Sequence, residues 1–319
     1  MVKVAIAGGS GQVAREVIDA LIATKKHEIT ILSRTEATSK TFPPAGTKWQ
    51  AVDYSDIPSL TAALQGTHTV LSFIQLLSDP EQTAQKNLVD AAVGAGVKRF
   101  APSEYGSKGT VDMPWWHGKE IVRGYLRAIN EEEDVLEYTL FQPGLFLDYT
   151  AFPHKTSKYL DPLQTVWDFK NRRAIIVEGY EEAVMTLTTV ADLAAIVALA
   201  VGYEGRWPTN GGIRGNRVTV SQIVEIGGRV RGAPFAVEKV RLDDLEAGEL
   251  KTSWNLEAVH HAVAQEDAAA LLKMVSIGVL TSCTKGAWDV SDELSSLFPD
   301  YQSTSIEDFH RGLWEGKRS

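Results

Sequence analysis

Along the first half of the chain, apolar residues gather in short runs. Each run is followed by a stretch in which they recur every three or four positions. Val2 to Ala7 is the first run, punctuated by Gly8, Gly9 and Gly11; Val13, Val17, Ile18, Leu21 and Ile22 then follow at helical spacing. Glu28 to Ser33, rich in branched residues, predicts a second strand, and Trp49 to Val52 a third. A helix is expected from Ile57 to Leu64, a fourth strand from Thr69 to Ile74, and a helix from Gln82 to Ala95. Gly96 to Ala101 and Tyr138 to Phe141 give the fifth and sixth strands. Strands that alternate with helices need crossover connections, so the pattern predicts a parallel sheet with helices on both faces. Residues 1–150 are expected to form one doubly wound α/β domain.

Beyond Phe152 the rhythm breaks. Pro153, Pro162 and Asn171, with Tyr159, Trp167 and Phe169 among them, suggest irregular, lid-like structure. Helices are expected at Val190 to Val201 and, after the strand-like Arg217 to Val220, at Ser221 to Arg231. Residues 243–275 are helical in composition, and Ser303 to Asp308 reads as the cap of a last short helix. Residues 151–319 are therefore expected to form a smaller, mostly helical domain for substrate, with some elements returning to the sheet.

With 44% hydrophobic and 23% charged residues, this is a globular composition and not a disordered one. The longest uncharged apolar stretch, Leu193 to Tyr203, is well short of the roughly 20 residues a membrane span requires. The opening residues lack the charged head and long apolar core of a signal peptide. The single cysteine, Cys283, forms no internal disulfide. A cytoplasmic protein, monomeric or homodimeric, is the expectation. The formal charge is −9; the first 100 residues hold 10 basic and 9 acidic side chains, so the excess of acid lies in the remainder. An acidic body without clustered Lys and Arg argues against nucleic acid as a partner. His260-His261 has no third ligand at metal spacing, and no metal is expected.

The glycines carry chemistry. Gly8-Gly9-Ser10-Gly11-Gln12-Val13-Ala14 fits G-x-x-G-x-x-A between a strand and a helix. In such a loop the first glycine permits the tight turn, Gly11 lets the backbone approach a pyrophosphate, and a small Ala14 permits close packing of helix on strand. The helix N-terminus then offers free N–H groups and partial positive charge to the phosphates. A dinucleotide is the implied ligand, with Gly8, Ser10, Gly11, Gln12 and Val13 as its first contacts. Arg34 follows the second strand, where an acidic residue would hold the ribose hydroxyls of NAD; a guanidinium there suits the 2′-phosphate of NADPH, although Glu36 is nearby. Ser72-Phe73, Pro102-Ser103 and Pro143, at the carboxyl ends of later strands, complete the expected cofactor contacts.

The chain resembles the NmrA-like branch of the atypical short-chain dehydrogenases, which includes the isoflavone reductases. The likeness rests on Val4 to Gly11, Val70 to Ile74, Gln85 to Gly106 with its Pro102-Ser103-Glu104-Tyr105-Gly106 ending, and Lys119-Glu-Ile-Val-Arg123. It implies a Rossmann domain, NADPH or NADP as cofactor, and reduction of a small aromatic or polyketide-like molecule at a ketone, imine, enone or benzylic centre. No Tyr has Lys four residues on, so the Tyr-x-x-x-Lys dyad of ordinary short-chain dehydrogenases is absent. The resemblance instead implies Lys119 beside the nicotinamide, also as cofactor contact, with Trp115-Trp116-His117 upstream to desolvate it and lower its pKa. Tyr105, at the end of the fifth strand, is the other acid candidate. Trp116, Gln142, Phe146 and Phe152 are the expected substrate contacts. Two other functions fit the same fold: a non-catalytic NADP-sensing regulator that binds a protein partner, and a non-redox cyclase or dehydratase.

Overall fold

The computed structural model describes residues 1–37, 44–76, 79–257 and 268–314. His260 and His261 lie outside them. The first half builds strands β1 (Val2–Ala7), β2 (His27–Ser33), β3 (Thr47–Ala51), β4 (Thr69–Ser72), β5 (Arg99–Ala101) and β6 (Glu137–Tyr138). Between them run helices α1 (Gln12–Thr24), α2 (Ile57–Ala63), α3 (Thr83–Gly94) and α4 (His117–Ile129). The six strands form one sheet in the order β3-β2-β1-β4-β5-β6, every pair parallel. This is the doubly wound order expected, with the reversal between β1 and β4.

The central strands β1, β4 and β5 are buried on both faces, as parallel strands are, while the edge strands β3 and β6 stay half-covered. In β1 the alternation divides two cores: Val4 and Ile6 pack with Val17, Ile18 and Leu21 of α1, whereas Ala5 and Ala7 pack with Leu60, Leu88, Val89 and Leu126 of α2, α3 and α4. The small residues of β1 thus face the side covered by α2, α3 and α4. The sixth strand continues after Thr139 as β7 (Leu140–Gln142), followed by β8 (Leu145–Phe146). The Thr139 N–H still donates to the Phe100 carbonyl of β5, whereas the Leu140 N–H donates to the Thr209 carbonyl, so the expected single strand changes partner and is split in two.

The second half holds more strand than its composition suggests. It contains β9 (Trp167–Asp168), β10 (Arg173–Val177), β11 (Val184–Thr188), α5 (Val190–Gly202), β12 (Asn210–Gly212), β13 (Asn216–Thr219), α6 (Val220–Arg231) and β14 (Ala236–Val240). Helices α7 (Leu242–Glu246), α8 (Ala268–Thr284) and α9 (Ile306–Trp314) complete it. Two three-stranded sheets, β14-β10-β9 and β13-β11-β8, close over a core containing Trp167, Phe169 and Trp288. Trp167 and Phe169, read as part of an irregular lid, are core residues. Helix α5 returns to the first half and shares an apolar core with α1, while β12 pairs with β7. No helix among the described residues is long and apolar enough to cross a membrane.

The segment after Phe152 does run irregularly, and it is strapped to α1. Gln12 donates to the Asp161 carboxylate at 2.6 Å and accepts from the Asp161 N–H at 3.0 Å. Glu16 accepts from the Tyr159 N–H, and Asp19 from the Tyr159 hydroxyl and Lys158. The Arg15 guanidinium lies 3.9 Å from the centre of the Tyr159 ring. Positions 12, 15, 16 and 19 are neighbours on one helix face, so a single stripe of α1 holds the segment.

Candidate active site

The parallel sheet brings the ends of β1, β4, β5 and β7 to one edge, where open α/β sheets bind their ligands. At the end of β1 the chain turns through Gly8, whose φ is +74°. A Cβ there would sit 2.5 Å from the Phe73 carbonyl oxygen, so only glycine fits both the backbone and the neighbour. A Cβ on Gly9 would meet Ile31 at 2.7 Å. The turn closes with the Gly11 N–H donating to the Gly8 carbonyl at 3.0 Å. Gly11 caps α1 with no side chain to take up the first helical N–H groups. Those donors are left to an anion, and the cradle fits a dinucleotide pyrophosphate. Ser10 is exposed on this turn, Val13 is half-buried, and Gln12 is engaged with Asp161. Arg34 is exposed one residue past β2. Burial pushes the Tyr54 phenol up, and the nearby Arg34 charge opposes that push.

Beside the loop, the Phe73 N–H donates to the Ala7 carbonyl, and the Phe73 ring stacks on Tyr105 at 4.4 Å with the rings 5° from parallel. Ser72 is buried and donates to Gln85, whose side-chain oxygen also accepts from the Ser103 N–H. One buried glutamine on α3 therefore ties the ends of β4 and β5 together. Pro102 is buried and Ser103 half-buried at this junction.

The loop that follows β5 is where the charged groups meet. Tyr105 adopts φ +43°, and its buried hydroxyl has no hydrogen-bond partner among the described residues. Burial and the Glu104 carboxylate both push that phenol well above its ordinary pKa. The Lys119 amine, 3% exposed, donates to the Glu104 carbonyl at 2.6 Å, the peptide group that joins Glu104 to Tyr105. Its Nζ lies 3.5 Å from the centre of the Trp116 ring. Burial lowers the Lys119 pKa to about 7; Glu104 opposes this, Arg123 adds to it, and Glu120 opposes it more weakly. Of the three residues expected to desolvate this amine, only Trp116 covers it. His117 is exposed, and Trp115 packs against Gly278 of α8.

Sequence reasoning gave no role to the pair beside Lys119. Arg123, 5% exposed, grips the 3% exposed Glu104 carboxylate with Nε at 2.8 Å and one terminal nitrogen at 2.5 Å. Its other terminal nitrogen donates to Glu120 and to the Lys108 carbonyl. The signal was present in the pattern: Lys119, Val122, Arg123 and Leu126 form the buried stripe of α4, so two of its four members are cations.

The expected substrate contacts divide. Trp116 also packs on Trp288, at 5.7 Å between ring centres. Gln142 is buried at the end of β7, and the Pro143 carbonyl accepts from Thr188. The Gly144 N–H donates to the Gly106 carbonyl, which draws the β7 loop against the Lys119 loop. Phe146 is buried in the core that includes Phe73 and Tyr105, edge-on to Tyr149. Phe152 is half-buried after the helical turn Leu147–Ala151, with no ring contact to Phe146 or Trp116. Cys283 is buried, which pushes its thiol up to about 12 and suits an inert residue. Among the described residues no three His, Cys, Asp or Glu side chains gather as a metal site would.

A parallel sheet in this order, with a glycine cradle at its reversal and a buried amine at the same edge, defines the dinucleotide-binding α/β class. The chain belongs to the NmrA-like family, whose model matches residues 2–309. It is 28% identical to the oxidoreductase swnN of Metarhizium robertsii, covering 100% of this chain and 99% of that protein. It is 33% identical to the oxidoreductase BOA1 of Botryotinia fuckeliana, over 73% of this chain and 77% of that one. Among solved structures, the NADPH-dependent quinone oxidoreductase QOR2 of Escherichia coli, complexed with NADPH, shares the fold. Its TM-score is 0.67 at 20% identity, covering 98% of this chain and 100% of that one.

Proposed function

We propose that this protein is an NADPH-dependent reductase of a small aromatic or polyketide- or alkaloid-like molecule, with Lys119 as its proton donor. The observation that carries the proposal is the Lys119 amine: buried, and held by the Glu104 carbonyl at the strand edge that also carries the glycine cradle; that burial lowers its pKa to about 7. The names of the relatives support an oxidoreductase, and the QOR2 complex supports NADPH. NADPH, when bound, supplies the hydride. The chain's own residues do the rest. Gly8 and Gly11 bring the α1 N-terminus to the pyrophosphate, and Arg34 reads the 2′-phosphate. The Phe73–Tyr105 wall, Gln142 and Pro143 border the nicotinamide, while Trp116 presents apolar surface to the substrate and Phe146, buried in the core that includes Phe73 and Tyr105, backs that wall. Trp116 keeps water from Lys119, and Nζ releases its proton to the atom that gains charge. Tyr105 is the weaker candidate, because its phenol holds its proton far above neutrality.

The test is a screen of aromatic ketones, imines, enones and quinones for loss of nicotinamide absorbance. With a substrate in hand, the pH dependence follows from the direction of the Lys119 shift. A donor must be protonated, and a pKa lowered to about 7 leaves the amine mostly charged at pH 6 and mostly neutral at pH 8. The reduction rate at saturating NADPH falls through that window, by about tenfold per pH unit above it. A rate flat from pH 6 to 9 removes Lys119 as donor. Failure of every substrate, with NADPH still bound tightly, points to a dinucleotide sensor.

Cofactor choice is tested separately. Arg34→Ala weakens NADPH binding by about 1.5–3 kcal/mol, as expected for the loss of a charge-assisted pair, and leaves NADH almost unchanged. Equal losses for both cofactors in titration calorimetry would show that Arg34 does not read the phosphate.

A further inference from the structure

Lys119 shares its buried surroundings with a carboxylate that it does not touch through either oxygen. The charged groups bearing on the amine are Glu104, on the loop after β5, and Glu120 and Arg123, on its own helix. Glu104 is the nearest prospective counter-ion, since Lys119 already bonds to its main-chain carbonyl. Yet both Glu104 side-chain oxygens are taken by Arg123, one by Nε and the other by a terminal nitrogen. The remaining terminal nitrogen reaches Glu120. A guanidinium fork matches both oxygens of a carboxylate in a way that an ammonium cannot, so the competition is decided in favour of Arg123.

We propose that Arg123 is a positioning residue: by occupying both oxygens of Glu104 it withholds that carboxylate from Lys119 and leaves the amine, among the described residues, a carbonyl and the Trp116 ring. The consequence is chemical. An amine paired with a buried carboxylate keeps its proton well into the alkaline range, whereas one held by a neutral acceptor gives its proton up near neutrality. The Glu104–Arg123 pair also anchors the peptide that holds Lys119, because Arg123 bonds the Lys108 carbonyl as well and so grips the loop at two points. The geometry then does two things with one ion pair: it fixes the amine in place and keeps it unpaired. The bearing on catalysis rests on the proposal that Lys119 is the proton donor, but the charge state of the amine can be followed without any substrate.

The experiment is an NMR titration of isotope-labelled lysine side chains in the whole protein, with Lys119→Met assigning the signal, run beside the pH profile of the reduction. In Arg123→Met the Glu104 carboxylate is freed, and the Lys119 midpoint rises by at least about one pH unit. Arg123→Met/Glu104→Gln removes both charges and returns the midpoint to near its native position. Loss of the buried partner leaves Glu104 unpaired, so Arg123→Met itself risks unfolding. Arg123→Lys is the milder variant: it keeps the positive charge but holds only one oxygen, and the midpoint still rises. A midpoint that stays in place in Arg123→Lys, or in a folded Arg123→Met, overturns the proposal. If the midpoint moves as stated while the rate profile stays where it was, Arg123 governs the amine and the donor assignment of Lys119 is what fails.

Discussion

Lys119→Met lowers kcat for reduction at least a hundredfold while leaving NADPH affinity within a few-fold. The magnitude follows from the role: proton transfer from a positioned side chain contributes about 10² to 10⁴ in rate. Methionine keeps the length and the apolar stem, so the Trp116 face stays covered. The variant also takes away a buried amine whose charge is disfavoured there, so the fold loses little when it goes. What it leaves behind is the Glu104 carbonyl, which then lacks its donor from α4. Binding is spared because the proposed contacts lie elsewhere: the pyrophosphate at the glycine cradle, on the loop between β1 and α1, and the 2′-phosphate at Arg34. Stopped-flow single turnovers separate the two quantities. A variant with near-native kcat would remove Lys119 from the chemistry and turn attention to Tyr105, whose buried hydroxyl has no partner among the described residues.

The half of the site built by backbone was legible in the sequence. A glycine at position 8 is demanded by a positive φ and by the Phe73 carbonyl, and such demands leave a spaced motif that local pattern can find. The doubly wound parallel sheet was legible for a similar reason, since apolar runs alternating with helical stripes permit few topologies. The half built by side chains was only partly legible. Lys119 was singled out through a family likeness, but its counterweight was not, although Arg123 lies one helical turn away on the same buried stripe. A cation at such a position requires a carboxylate in contact, and which one it meets depends on the path of the loop after β5. Gln85 presents the same case on α3: a glutamine among Leu88, Val89 and Ala92 on a buried face is a sign of a polar task, here the joining of Ser72 to Ser103.

Other features left no local trace at all. The bonds between Gln12 and Asp161 join residues 149 positions apart, and neither residue looks unusual in its own neighbourhood. In the second half β13 was anticipated in the strand-like Arg217 to Val220, whereas β9 and β14 escaped for another reason. β9 is two residues long, and β14 has four of its five residues facing outward or only half-covered, so neither develops a clean alternation. Trp167 of β9, Val240 of β14 and the neighbouring Phe169 are buried in the core beneath; sequence pattern had assigned Trp167 and Phe169 to an irregular lid.

Gly11→Val abolishes binding of both NADPH and NADH in a protein that still folds. The fold survives because Gly11 sits at φ −66° and ψ 154°, an extended conformation that any L-residue adopts. A Cβ there would meet only the Gly8 carbonyl oxygen at 3.3 Å and the Ala14 Cβ at 4.0 Å, contacts that a small shift of the turn relieves. Gly8 is the contrast: a Cβ there collides with the Phe73 carbonyl in a backbone conformation that disfavours side chains, and the same substitution would destroy the β1 turn. Binding fails at Gly11 because valine places two methyl groups over the first N–H groups of α1, where the pyrophosphate has to approach the backbone. Shared by both cofactors, the pyrophosphate gives a loss that does not discriminate between them, unlike the loss from Arg34→Ala. Circular dichroism and a thermal melt establish the fold, and calorimetry with each cofactor measures the loss. A folded variant that binds NADPH normally would mean that the cradle at the end of β1 does not hold a dinucleotide.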